Sequence, residues 1–252
     1  MKQSKKKLPI KNQTLIAILK KEFNSFFASP VAYLVIGVFL LINGLFLFIF
    51  KDDFNILNAG FADLNPFFYL TPWVFIFLIP AITMKSFADE FNNGTIELLK
   101  TKPISNWQIV LGKFWAALLL VVIALIPTIT YVYTVYQLGN PIGNIDFGAT
   151  IGSYIGLLFL AATYTAIGLF TSTLSKNQIV AFILGVFSTF FLFYGFDAIS
   201  NSFDNNLTIQ QIGINEHFKS ISRGIIDTRD LVYFTSVTIF FLFITKIRLE
   251  NE

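Results

Sequence analysis

The chain has 252 residues, 55% of them apolar and only 13% charged. A soluble domain carries roughly 25% charge, so the composition excludes an ordinary soluble protein and points to the membrane. Zero cysteines exclude disulfides, iron–sulfur clusters and thiolate zinc sites, one histidine cannot build a His-rich metal centre, and a net charge of +3 matters less than where its cations lie.

The opening MKQSKKK is not expected to be a secretory signal, because a long polar and amphipathic stretch separates it from the first apolar run. Residues 12–29 have helical periodicity. Leu15, Leu19, Phe23 and Phe26 recur at steps of 4, 4 and 3, while Lys20, Lys21 and Asn24 fall on other faces. Such a helix either lies in the inner leaflet surface or simply extends the first span, with Pro30 marking the turn between them.

Six runs then approach the ~20 apolar residues that a bilayer core demands. They are Val31–Phe50, Phe67–Met84, Phe114–Tyr136, Ile151–Leu174, Ile179–Phe196 and Leu231–Thr245, the last short at both ends. None contains Asp, Glu, Lys, Arg or His. Pro72, Pro80 and Pro127 fall inside runs, where they can kink helices around a pathway or be ordinary membrane-helix prolines. Thr130, Tyr133, Thr163 and Ser188 offer hydroxyls that either line a path or join helices. The 31 phenylalanines suit a lipid-facing surface and call for no cofactor.

Between the second and third runs lies FADEFNNGTIELLKTKPISNWQIVLGK, Phe87 to Lys113. Two short helices around a break are expected. Thr95 can cap a turn that begins at Ile96, placing Glu97 near a positive helix end, and Pro103 stops it. Ser105 and Gln108 form an S-x-x-Q capping box that starts the next helix. Ile96 and Leu99 share one side of a segment that should face water, so the stretch is either a docking edge or a solvated loop.

A second polar segment, 197–230, precedes the last run. Leu207, Ile214, Phe218, Ile221 and Ile225 share a helical face, Thr208 with Gln211 has a capping-box spacing, and Gly213 and Gly224 are expected breaks. A re-entrant or surface-lying helical hairpin is expected. Asp197, Asp204 and Asp227 read as a solvated acidic loop or a weak cation site, and His217 as structural rather than catalytic.

Orientation follows from the basic residues. Seven lysines precede the first run, four lie in the second loop, Lys176 is in the fourth, and Lys246 and Arg248 are in the tail. The opposite side holds only Lys51, Lys219, Arg223 and Arg229. Both termini and the Phe87–Lys113 segment are therefore expected in the cytoplasm, and residues 197–230 outside.

Three pieces carry a resemblance: LKKEFNSFFASPVAYL at 19–34, the Phe87–Lys113 segment, and NEHFKSISRGIIDTRDLVYF at 215–234. Their Glu90, Gly94, Thr95, Glu97, Leu99, Pro103, Gly112 and Lys113 resemble the membrane subunit of type-2 ABC exporters. His217, Phe218, Arg223, Gly224, Asp227 and Asp230 make the chain similar to the gliding-motility-associated permeases among them. The resemblance spans nearly the whole chain and implies one all-α transmembrane domain over 1–252. It has six transmembrane helices, an interfacial N-terminal helix, a cytoplasmic coupling loop at 85–113 and an external helical segment.

It further implies a coupling helix, Glu90 and Gly94 through Lys100 (Thr95, Ile96, Glu97, Leu98, Leu99), seated in a groove of a cytoplasmic ABC ATPase subunit. The N-terminal helix, with Leu15, Leu19, Glu22, Phe23 and Phe26, is implied to touch the same subunit. A second permease chain (identical or different), a further gliding-motility membrane protein and the bilayer complete the implied partners. No nucleic acid is among them, and the implied location is the bacterial cytoplasmic membrane.

The chain's own chemistry agrees. Gly112-Lys113 is followed by Phe114, and Trp107 stands where a phosphate cradle needs glycine, so no ATP hydrolysis is expected and ATP belongs to the partner. Ion-coupled carriers usually keep an ionisable residue in the membrane, and the runs have none. The leading reading is a non-enzymatic export permease subunit. The alternative is an anchoring subunit of a surface motility machine that transports nothing. A membrane-embedded enzyme is disfavoured by the lack of a recognised nucleophile pattern.

Overall fold

In hydrocarbon every backbone N–H and C=O must be satisfied within its own segment or barrel, and apolar runs without strand alternation meet that demand as helices. The computed structural model describes residues 10–101, 103–202, 207–224 and 227–251, and among them every regular element is helical. Asp204 and Ile225, singled out above, lie outside the described residues, as do Lys102 and the lysines before residue 10.

Helix α1 (Ile10–Ala28) is followed, after Pro30, by α2 (Val31–Gly44), which ends in a π turn at Leu45–Ile49. After a loop with a short 3-10 turn at Ile56–Asn58 come α3 (Asn65–Thr83), α4 (Lys85–Asn92) and α5 (Thr95–Lys100). Helix α6 (Asn106–Leu125) passes through a 3-10 turn at Ile126–Thr128 into α7 (Ile129–Leu138). Then come α8 (Phe147–Ser172) and α9 (Gln178–Phe190), a second π turn at Phe191–Gly195, and α10 (Phe196–Ser202). Helices α11 (Leu207–Gln210), α12 (Ile214–Ser222) and α13 (Thr228–Glu250) complete the chain.

Six helical stretches are long and apolar enough to cross a membrane: Val31–Ile49, Asn65–Asn92, Asn106–Leu138, Phe147–Ser172, Gln178–Ser202 and Thr228–Glu250. All six expected spans are present, and most overrun the apolar run that announced them. The overrun arises because polar caps set the ends. Asp146 accepts from the Ala149 amide, Asn177 from Ile179 and Asp227 from Arg229. The last span thus begins at Thr228 rather than Leu231. Pro72 and Pro80 sit inside a continuous α3, whereas Pro127 falls in the 3-10 turn between α6 and α7.

Helix α8 is the centre of the bundle, in contact with α3, α6, α9, α12 and α13. The second and fourth spans are the most enclosed, while the first, fifth and sixth bury the fewest side chains. Leu160, Ala161, Tyr164, Ile167 and Leu169 of α8 are fully buried. Without a hydrophobic drive between helices in lipid, small residues and hydrogen bonds decide contact. Gly168 leaves room for Thr83 of α3, and the Thr163 and Thr238 hydroxyls meet at 3.0 Å across α8 and α13. Thr163 therefore joins helices, while Thr130 bonds back to the Pro127 carbonyl at 2.7 Å.

Two ends of the bundle differ. The proximal end carries α1, α4, α5 and the end of α13, where Trp107 of α6 approaches Phe243. The distal end carries α10 to α12. There α12 buries Ile214, Phe218 and Ile221 against α8 and α13, as the helical face predicts, and Gly213 and Gly224 flank it. Thr208 lies within the described residues of α11, Leu207–Gln210. His217 is structural: Nδ1 lies 2.7 Å from Asp230 and Nε2 2.9 Å from the Gln211 carbonyl, and its ring stacks on Tyr233 at 3.8 Å. Asp197 is buried, contrary to a solvated acidic loop, because α12 folds over it and Asn215 donates to its carboxylate.

The hairpin's seat on α8 depends on Gly152. A Cβ there would stand 2.9 Å from the Ile221 carbonyl oxygen and 3.0 Å from Gly224 Cα, both backbone atoms. Gly224 has φ +84° and cannot shift cheaply. Gly152→Ala should therefore cost about 1–3 kcal/mol, read as a lower melting temperature of the purified protein. Gly37→Ala, which meets nothing within 4 Å, is the control and should show no loss. Equal melting of the two variants would contradict this packing.

Candidate functional site: an ionic junction of three helices

The Ser105–Gln108 capping box is formed as its spacing predicts. Gln108 Oε1 accepts from the Ser105 amide at 2.9 Å, and Ser105 Oγ accepts from the Gln108 amide at 3.3 Å. The same Gln108 donates its side-chain amide to Thr14 Oγ1 of α1 at 2.7 Å. One turn on, a Cβ at Gly112 would sit 2.7 Å from Ile18 Cγ2, so only glycine lets α1 lie this close. Next along both helices, Lys113 Nζ is 3.1 Å from Glu22 Oε1. Thr14, Ile18 and Glu22 are spaced by four, one face of α1, and match Gln108, Gly112 and Lys113 in order.

Lys113 also reaches Glu90 Oε1 of α4 at 2.8 Å, and its ammonium lies 5.1 Å from the centre of the Phe87 ring. Its side chain is 3% exposed, against 17% for Glu22 and 12% for Glu90. Two carboxylates from two helices thus share one enclosed ammonium on a third. Glu90 Oε2 is buried without a partner, and exposed Lys21 approaches Glu22 at 3.6 Å. Removing one member of such a buried group leaves an uncompensated charge and costs far more than a surface pair. Helix α4 is held on its other side too, where Asp89 accepts a hydrogen bond from Gln178 at the start of α9. Phe87, Ala88 and Phe91 of α4 are buried.

Helix α5 hangs from this junction. Gly94, at φ +66°, ends α4 in the left-handed region that glycine tolerates. Glu97 lies in the first turn of α5 as expected. Several assignments change. Thr95 does not cap: it is the first residue of α5, and its hydroxyl donates back to the Glu90 carbonyl at 3.4 Å. Ile96 is 7% exposed and turns inward, so it is no outer edge, whereas Leu98 is 65% exposed. Glu90 is spent within the chain on Lys113 and does not face outward. The side chains of Leu99 and Lys100 lie outside the described residues. On α1, Leu15, Leu19, Phe23 and Phe26 are only half-buried, and Ile18 is the residue most enclosed. Phe26 packs against the core, and the face that α1 presents to α6 runs through Thr14, Ile18 and Glu22.

The sequence reading passed over Lys113 as an ion-pair centre, and Thr14, Ile18 and Gln178 altogether. The spacing of 14, 18 and 22 was the one local signal available. Among the described residues no group of three or more His, Asp or Glu is arranged to hold a metal ion. The junction contains no nucleophile beside a base. The junction ties α1, α4 and α6 at one ammonium.

A family model described as "ABC-2 family transporter protein" matches residues 16–245, which include Glu22, Glu90 and Lys113, five of the six membrane-length helices in full and the sixth as far as residue 245. No curated protein matches the chain.

If Lys113 holds the junction, Lys113→Leu should destabilise the protein by about 3–5 kcal/mol by stranding two carboxylates. Adding Glu22→Leu and Glu90→Leu should recover much of that loss, since an apolar cluster of similar volume replaces the ions. Melting of the purified proteins decides it: a triple variant no more stable than Lys113→Leu would contradict the shared-ammonium account.

Proposed function

The chain belongs to the ABC-2 family of transporter proteins and is a multi-pass membrane permease subunit that works with a separate ATPase; from that premise we propose that it serves an export-type complex in the bacterial cytoplasmic membrane and takes the ATPase's motion through α5. The supporting observation is the contrast within α5. Ile96 anchors the short helix inward, while Leu98 stands exposed beside Glu97. An apolar side chain next to an acid, on a six-residue helix outside the apolar spans, suits a groove on a soluble partner. Movement of α5 reaches α4 across Gly94, and the Lys113 junction passes it to α6 and α1.

In this reading both termini and α5 lie in the cytoplasm, supported by the excess of lysine and arginine at the proximal end. The N-terminal helix contributes its half-buried flank, Leu15, Leu19, Phe23 and Phe26, to the leaflet surface and to the ATPase. Two permease chains make the complex. The link to gliding motility or cell-surface secretion rests on the His217-to-Asp230 residue pattern.

Two measurements test this. In intact cells, a cysteine placed at Lys100 should resist an impermeant thiol reagent and one at Asp146 should react, and the native chain has no cysteine to confuse the result. The opposite pattern would reverse the orientation. Second, Leu98→Asp and Glu97→Lys should leave the abundance of the protein unchanged but reduce recovery of the ATPase with it. Leu98→Asp should have the larger effect, because a carboxylate buried unpaired in a groove is costly. Full ATPase recovery with Leu98→Asp would remove α5 as the contact.

A further inference from the structure

At the distal end one ring faces two acceptors. His217 Nδ1 lies 2.7 Å from Asp230 Oδ1, and Nε2 lies 2.9 Å from the Gln211 carbonyl oxygen. A backbone carbonyl can only accept, so Nε2 carries a hydrogen. Two lone pairs would repel at 2.7 Å, so a second hydrogen stands between Nδ1 and Oδ1. A neutral imidazole has a single N–H. The pair therefore holds one hydrogen more than a neutral ring beside an ionised carboxylate.

The surroundings place that hydrogen on the ring. Imidazole is a stronger base than a carboxylate. Asp230 is buried, and its Oδ2 has no partner, so a neutral ring would strand its charge. The other charged groups nearby face one another: Glu216 approaches Arg223 at 3.9 Å, and Lys219 approaches Asp197 at 3.8 Å. Asp227 accepts from the Arg229 amide at the exposed start of α13. Helix α8, packed on α12, has no Asp, Glu, Lys, Arg or His, and the second π turn brings only Tyr194. The Tyr233 ring stacks on His217 at 3.8 Å, and an aromatic face suits a cation.

The ring is 18% exposed and so exchanges protons with the medium, while Asp230 is 6% exposed. Once the ring is neutral, one N–H has to serve two acceptors. The enclosed Asp230 keeps it, and Nε2 turns a lone pair toward the Gln211 carbonyl. That bond is then lost, while the Tyr233 hydroxyl still holds the Ile212 carbonyl at 2.6 Å.

We propose that His217 is an imidazolium in the closed distal hairpin and acts as a proton-dependent latch, tying the turn before α12 to α13 only while it is charged. The closed form keeps a hydrogen that the released form gives up, so acid favours closure and alkali favours release. The latch goes beyond the permease reading and requires neither an ATPase nor a particular orientation in the membrane.

The test uses the full chain, purified in maltoside detergent without a polyhistidine tag. The sequence has one histidine, so nitrogen-15 histidine labelling reports on His217 alone. Solid-state NMR reads the hydrogen on each ring nitrogen from about pH 5 to about pH 9, which covers the range where imidazole changes charge. Hydrogen exchange, corrected for its intrinsic pH dependence, reads the Ile212 and Gly213 amides, which donate to the Ile209 and Gln210 carbonyls. In acid both ring nitrogens should carry hydrogen and the two amides should be protected. As the ring loses its charge, at whatever pH that occurs, Nε2 should be the nitrogen laid bare. Protection should fall about tenfold with it, the scale of a lost charged hydrogen bond.

Asp230→Asn should stay protected throughout, because the Asn amide can donate to Nδ1 of a neutral ring whose Nε2–H remains on Gln211. If that variant fails to fold, His217→Gln, which cannot change charge, should abolish the step. A bare ring nitrogen in the protected form overturns the proposal. So does protection that ignores the charge of the ring, or an undiminished step in either folded variant.

Discussion

The architecture of the proximal end hangs on one ammonium group. Lys113 sits at the foot of α6, almost wholly enclosed, and draws a carboxylate from α1 and another from α4. Helices α1 and α6 also meet through the Gln108–Thr14 hydrogen bond and the Gly112–Ile18 approach, and α4 is an extension of the second span. Enclosed charge is expensive unless paired, so each carboxylate is confined to the few positions from which it can reach Nζ. The junction is therefore a positional constraint more than a source of net stability. It holds α4 through Glu90, and α5 follows beyond Gly94.

Along the rest of the bundle, contact is set by volume and not by charge. Gly112 admits Ile18, Gly168 admits Thr83, and Gly152 admits the backbone at Ile221 and Gly224. Each pairing brings two helices closer than a methyl group would permit. The distal hairpin gains specificity from polar contacts laid over that close approach. His217 bridges Asp230 and the Gln211 carbonyl, and Tyr233 donates to the Ile212 carbonyl at 2.6 Å. Both are side chains of helices α12 and α13 closing over the turn that precedes α12.

What could be read from sequence alone was whatever depends on near neighbours. The spans follow from runs of apolar residues, and the Ser105–Gln108 box from a three-residue spacing, both local signals. Lys113 could not be read as a hub, because its partners lie 91 and 23 residues away and only the folded topology brings them together. Ile96 and Leu98 were separable only by knowing on which side α4 packs, since a six-residue helix is too short for its period to show a face. Asp197 looked like a loop acid because nothing in its neighbourhood reveals that α12 returns to cover it. The two π turns are invisible for a different reason: LFLFI and FLFYG have the same apolar character as the α-helix before them.

Those turns have a geometric consequence. A π turn is an α-helix that holds one surplus residue, and losing that residue would rotate everything beyond it by about 100°. Beyond the turn at Phe191–Gly195 stands α10 with Asp197 in its first turn. The bearing of that carboxylate is thus an arithmetic property of the chain. A deletion of one residue within the turn would swing the acid away from Asn215 and Lys219, and the length of the fifth span thus decides whether α12 finds a carboxylate to close over.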